Sequence, residues 1–289
     1  MAPAPAADES APVEPTEPQA SRAGRDLPAA IAVGVLLAAV GIGSLFFDKR
    51  YFLVLAAAAM LAAVWELGRA LKVADVALPT PPLYLGVLGV IAAGWYAGAG
   101  GVALGLGLTV LLVLVWRSLR GPDGYLADSA AGAFTVGYLL LAGGFATLMV
   151  REEDGPFRVL AWLLLVVASD IGGYAVGVLA GRHPMAPSVS PKKSWEGFAG
   201  SVLACVTLGI VVVVWGLSGS WWAGAALGLC MAMAATLGDL AESLLKRDIG
   251  VKDMGSLLPG HGGVMDRLDS IALSAPIAWL VLTLLVPVG

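Results

Sequence analysis

The sequence predicts an all-α, polytopic membrane protein, and three observations point there. The 289 residues are 58% hydrophobic and only 13% charged, whereas soluble domains carry roughly 25% charged residues. Apolar stretches reach the ~20 residues that a helix needs to cross a bilayer, and mean hydropathy is +0.86. The Lys and Arg residues also gather in alternate connecting segments, as the positive-inside bias of membrane helices requires. Cys205 and Cys230 lie in apolar segments without a nearby ligand cluster, which argues against both a zinc site and a disulfide framework.

Residues 1–27 are rich in Ala and Pro and carry Asp8, Glu9, Glu14 and Glu17. Such a segment buries too little surface to offset its ordering entropy, so a disordered acidic tail is expected. A secretory signal is not expected, because a basic start is missing and the following apolar run is too long. One membrane-embedded domain, 28–289, follows. It contains nine apolar segments, near 28–47, 51–71, 82–98, 100–117, 128–150, 158–181, 198–217, 221–245 and 268–287. Pro79, Pro81 and Pro82 separate the second from the third, and Gly121-Pro122-Asp123-Gly124 precedes the fifth. A hinge at Gly100 and Gly101 divides the third from the fourth, and Pro276 is expected to bend the last helix.

Orientation follows from the cations. Thirteen of the 17 Lys and Arg residues fall in the N-terminal tail and the segments near 70–81, 118–127, 182–197 and 246–267. These segments are therefore assigned to the cytoplasm, with the N-terminus inside. An odd number of spans then places 182–197 and 246–267 on one side, where they can share a site.

Two carboxylates within apolar segments stand out. Asp170 sits in the sixth, and such a group needs a partner, a metal or water. Gly173, Gly177 and Gly181 recur at a spacing that lets a neighbouring helix approach. Asp239 lies in the eighth segment and shares one helix face with Glu242, Ser243 and Lys246. An i,i+4 salt bridge accounts for Glu242 and Lys246 but not for the deeper Asp239. The loop beyond holds Arg247, Lys252 and Gly260-His261-Gly262-Gly263, then Asp266-Arg267-Leu268-Asp269 at the mouth of the last helix. Glycines there let the backbone point N–H groups at phosphate oxygens. Lys192 and Lys193, between Pro191 and Trp195, form a second basic cluster. Hard oxygen ligands select Mg²⁺ and basic side chains select phosphate, which together indicate phosphoryl or nucleotidyl transfer at a membrane surface.

Three stretches carry a family resemblance. They are Ser243-x-Leu245-Lys246-Arg247, Lys252-Asp253-x-Gly255, and Leu258-Pro259-x-His261-Gly262-Gly263-Val264-x-Asp266-Arg267-Leu268-Asp269. Together they resemble the phosphatidate cytidylyltransferases, or CDP-diacylglycerol synthases. Ser190-Pro191-Lys192-Lys193-Ser194-x-Glu196-Gly197 resembles the same family, with Ser194 where Thr is common, and so does Asp170 with Gly172 and Tyr174. The resemblance is carried by the C-terminal part, about 158–289, which would be the catalytic half.

It implies that CTP and phosphatidate give CDP-diacylglycerol and pyrophosphate with Mg²⁺, as one or two ions. It also implies a homodimer in the cell membrane, facing the cytoplasm, with no nucleic-acid partner. Asp239 and Asp266 would ligate the metal, with Asp269 and Glu242 as further ligands, so the first two should face each other across a cation-sized gap. Lys193, Lys246, Lys252, His261 and Arg267 would act in catalysis beside those acids. Lys192, Ser194, Ser243, Arg247, Gly262 and Gly263, with Asp170, would complete the substrate- and phosphate-binding set. The nucleophile, a phosphate monoester, is already largely ionised at neutral pH, so His261 is expected to position or donate a hydrogen bond and not to act as the base. The alternatives are a CTP-dependent polyprenol or phytol kinase, and an ion-coupled transporter.

Overall fold

A computed structural model describes residues 27–257 and 262–287. The expected tail falls outside the described residues, apart from Leu27 at the start of the first helix. The helices are α1 (Leu27–Phe47), α2 (Lys49–Ala70), α3 (Thr80–Ser118), α4 (Tyr125–Thr135), α5 (Leu141–Arg151), α6 (Gly155–Ala180), α7 (Trp195–Val211), α8 (Trp221–Ile249) and α9 (Asp269–Leu285). A π turn, Val136–Leu140, joins α4 to α5 without a break in the rod. Among the described residues, six helical stretches are long and apolar enough to cross a membrane.

That number is smaller than nine for two reasons. The described parts of the first and last apolar helices are short. The third and fourth segments are joined in one helical stretch, α3, interrupted at Gly98 with φ 64° and ψ −148°. Only glycine adopts that conformation readily, so the turn falls at Gly98 and not at Gly100 or Gly101. Beyond it the chain doubles back. A methyl group on Gly94 would lie 2.9 Å from Val102, and one on Gly105 would lie 3.2 Å from Val90. The two halves are thus antiparallel neighbours held close by small residues.

The region 182–197 is more ordered than its sequence indicates. It forms an antiparallel pair, β1 (Pro184–Ala186) and β2 (Ser190–Ser194), the one departure from the all-α class among the described residues. Its base is clamped to α7. Glu196 accepts the N–H groups of Arg182 at 3.0 Å and His183 at 3.2 Å, and meets the His183 ring at 2.5 Å.

Small residues set the helix spacing near this hairpin. Carbon added at Gly172 of α6 would lie 2.6 Å from the Gly200 carbonyl of α7. Gly173 and Gly177 lie against Ser201 and Gly197, so the glycine spacing in α6 does serve close approach. Likewise Gly238 of α8 sits so tightly on α9 that an added carbon would be 2.5 Å from the Asp269 carbonyl. That contact brings the acidic turn of α8 beside the acidic start of α9.

Candidate functional site

The hairpin, the C-terminal turns of α8 and the start of α9 meet at one end of the helix bundle. α8 runs to Ile249, beyond the expected boundary, and stops where Gly250 turns left-handed at φ 81°. The extra turn carries Lys246, which stays half-buried, and Arg247, which is exposed. Two cavities open here. The first, of about 360 Å³, is lined by Asp170, Tyr174, Lys192, Lys193, Ser194 and Asp239, among others. The second, of about 660 Å³, is lined by Ser190, Lys192, Ser243, Lys246, Arg247 and Lys252, with neighbouring loop residues. Lys192 forms part of both walls.

The first cavity mixes charges. Lys193 pairs with Asp239 at 2.5 Å and reaches the Thr236 carbonyl at 3.5 Å. Ser243 donates to Asp239 at 3.4 Å. Asp170 lies within electrostatic reach of Asp239, Asp269, Lys193 and Arg267. Ser194 serves two purposes: it lines this cavity and caps α7 by accepting the Gly197 N–H at 3.1 Å. The second cavity is lined by cations and hydroxyls, a surface suited to a polyphosphate.

Asp266 stands on a short 3₁₀ turn, Met265–Arg267, ahead of α9. Its carboxylate accepts the Met254 N–H at 3.1 Å, the Gly263 N–H at 2.9 Å and the Lys246 ammonium at 3.1 Å. Burial alone would raise its pKa. The two backbone donors and Lys246 outweigh burial and hold it below the usual carboxylate value. Lys246 also lies 3.2 Å from Glu242. Glu242 is fully buried, and neither of its carboxylate oxygens makes a well-directed hydrogen bond. Asp269 sits close enough to interact with Glu242, and Tyr138 donates to the Asp269 carbonyl at 3.2 Å.

Asp239 and Asp266 therefore have separate ammonium partners, Lys193 and Lys246. The acids near Asp239 are Asp170 and Asp269, while Glu242 neighbours Asp266. Among the described residues no three His, Cys, Asp or Glu side chains form a ready metal-ligand group. Mg²⁺ does not require one, since it is commonly held by one or two carboxylates together with substrate phosphates and water. The donor set fits such an ion: hard carboxylate oxygens, and at Glu242 buried oxygens without hydrogen bonds.

Gly262 takes a left-handed φ of 83°. Arg267 is exposed, and His261 lies outside the described residues. One residue escaped sequence reasoning. Glu66 of α2 is 1% exposed and accepts the Met265 N–H at 2.9 Å. The signal was present, since a lone carboxylate in an apolar segment is the same clue that marked Asp170.

The cytidylyltransferase family model matches residues 28–285. A protein of Mycobacterium leprae (strain TN) named phosphatidate cytidylyltransferase is 44% identical over 281 residues, covering 91% of this chain and 90% of its own. One of the same name from Mycobacterium tuberculosis (strain ATCC 25618 / H37Rv) is 44% identical over 280 residues, covering 92% and 85%. Another of that name from Brucella melitensis biotype 1 is 38% identical over 175 residues, covering 60% and 62%. The mycobacterial similarity extends well into the N-terminal half, where the sequence alone offered only hydrophobicity.

Proposed function

The chain belongs to the cytidylyltransferase family, and we infer on that premise that it is a phosphatidate cytidylyltransferase. It transfers CMP from CTP to phosphatidate, giving CDP-diacylglycerol and pyrophosphate. The observation that supports the chemistry is the pair of cavities sharing Lys192. The basic one suits the triphosphate. The one bounded by Asp170, Lys193 and Asp239 suits the lipid phosphate, with its acyl chains left in the bilayer.

A phosphate oxygen of phosphatidate attacks the α-phosphorus of CTP. The bond from that phosphorus to the α,β-bridging oxygen breaks, and pyrophosphate leaves. No strong base is needed, because the nucleophile is already an anion. The protein must screen two anions from each other and stabilise the leaving group. Lys192, Lys246, Arg247 and Lys252 do this around the triphosphate, with Ser243 orienting it. Lys193 moves between Asp239 and the lipid phosphate, and Arg267 assists. When bound, Mg²⁺ would neutralise phosphate charge and polarise phosphorus. Asp239 and Asp266 are proposed to hold it, with Asp269 and Glu242 beside them. Asp266 can join only by releasing one of its present donors. Gly262 and Gly263 keep the loop backbone close to the phosphates.

The same inference includes nine membrane passes, an inside N-terminus and a cytoplasmic active site in the cell membrane. The doubling-back of α3 at Gly98 supports the count, because α3 then supplies two passes. The homodimer rests on the family resemblance. The test is to incubate purified protein, Mg²⁺ and phosphatidate with CTP labelled at the α- or γ-phosphate. Label in the lipid from α only, with pyrophosphate released, is expected. Lipid label from γ with CDP released would make the protein a kinase.

A further inference from the structure

The loop between α8 and α9 is folded around two carboxylates, and only one of them belongs to the family motif. Asp266 takes the N–H groups of Met254 and Gly263. Glu66, nearly two hundred residues earlier in the chain, takes those of Met265 at 2.9 Å and Leu257 at 3.4 Å. A buried carboxylate is retained only where donors replace its water, and among the described residues both donors to Glu66 come from this loop.

The loop is also shaped to admit that side chain. A methyl group on Gly255 would overlap the Glu66 Oε1 and lie 2.8 Å from its Cγ. One on Gly263 would lie 2.6 Å from Oε2. Neither glycine has a left-handed backbone. At Gly255 the Glu66 side chain is what occupies the space, while Gly263 is crowded by Asp266 and the Gly255 amide as well, and conformation demands glycine at neither. Met265, one of the two anchored amides, directly precedes Asp266.

We propose that Glu66 is a positioning residue for the transfer reaction: from α2 it anchors the glycine-rich loop and so sets where Asp266 and Arg267 stand. The N-terminal half then contributes to the active site through backbone hydrogen bonds, without touching substrate. The activity measurements below rest on the function inferred above, whereas the exchange measurement does not.

The experiment uses the full chain purified in detergent. Glu66→Gln keeps the volume but turns an NH₂ group toward one of the two N–H donors. Amide exchange in peptides covering 254–257 and 263–266 should rise roughly tenfold or more, and kcat should fall by a similar factor, while KM for CTP shifts less. Peptides from α6 and α7 should exchange as in the wild type. Gly255→Ala should lower kcat roughly tenfold on its own but by less than about twofold in a Glu66→Ala background, where the overlap is gone. Glu66→Asp replaces Glu66→Ala in this cycle if the alanine variant does not accumulate.

Wild-type exchange and kcat in Glu66→Gln would overturn the proposal. So would an equal loss from Gly255→Ala in both backgrounds, since that would mean the glycine is needed for itself. A wild-type protein unable to transfer CMP would refute the functional inference and leave the exchange result to decide the anchor.

Discussion

Lys246 offers the most direct check on the electrostatics of the site. Its ammonium lies 3.1 Å from Asp266 and 3.2 Å from Glu242, with side chains that are 6% and 0% exposed. Replacing it by Met preserves the stem and removes the charge. Removing one partner of a buried pair typically costs about 3–5 kcal/mol, because the other charge is left buried without compensation. Asp266 keeps two backbone N–H donors and Glu242 can take up a proton once its cation is gone, so the cost falls to about 1–2 kcal/mol. For a chain of this size that corresponds to a fall in unfolding temperature of roughly 2–8 °C. The assay is thermal unfolding in detergent for Lys246→Met, Glu242→Gln and the double variant. The double should recover most of the lost stability, since the neutral amide needs no counter-ion. Turnover should stay low in both Lys246 variants, because the phosphate contact proposed for Lys246 is gone. A Lys246→Met protein as stable as wild type, or a double no more stable than the single, would refute this account of Glu242.

Asp239→Asn should lower kcat by roughly a hundredfold or more with the fold intact by circular dichroism, as loss of a charged group from a phosphoryl-transfer site does; near-normal turnover would exclude metal ligation there. Gly238→Val should push α9 from α8, lowering stability by about 1–3 kcal/mol, and should cost activity as well, measured by unfolding and turnover on the same preparation. Asp266 has its pKa held below the carboxylate value of 3.8 in the fold. The folded state therefore binds the proton less readily than the unfolded one, and the stabilisation is present above pH 3.8 and lost as pH falls through the folded value. Unfolding midpoints measured from pH 6 downward should show a shallower acid limb in Asp266→Asn.

Much of the candidate site was legible in the sequence, for a physical reason. A chain this apolar keeps few ionisable groups, so Asp170, Asp239, Lys192, Lys193 and Lys246 were conspicuous. The parity of the spans placed their loops at one end, where Lys192 and Lys246 do share a cavity. Pairing was less readable. Which ammonium meets which carboxylate depends on the relative rotation of α8 and α9 and on the reach of the hairpin. Spacing along one helix reveals neither. That is why the pairing of Lys193 with Asp239 and of Lys246 with Asp266 was not foreseen. Glu66 was hidden for a related reason: its donors lie in a distant loop, so nothing near it in sequence shows what it holds.

The turn at Gly98 bears on how the chain enters the bilayer. Its apex, Gly98-Ala99-Gly100-Gly101, carries no charged or hydrogen-bonding side chain. With the two arms of α3 as the two passes proposed above, an insertion machinery has no hydrophilic cargo to drag across between them. The arms can partition from the translocon together, already paired through Gly94 and Val102. A few charged residues spliced into that apex would tax biogenesis long before they disturbed the distant chemistry.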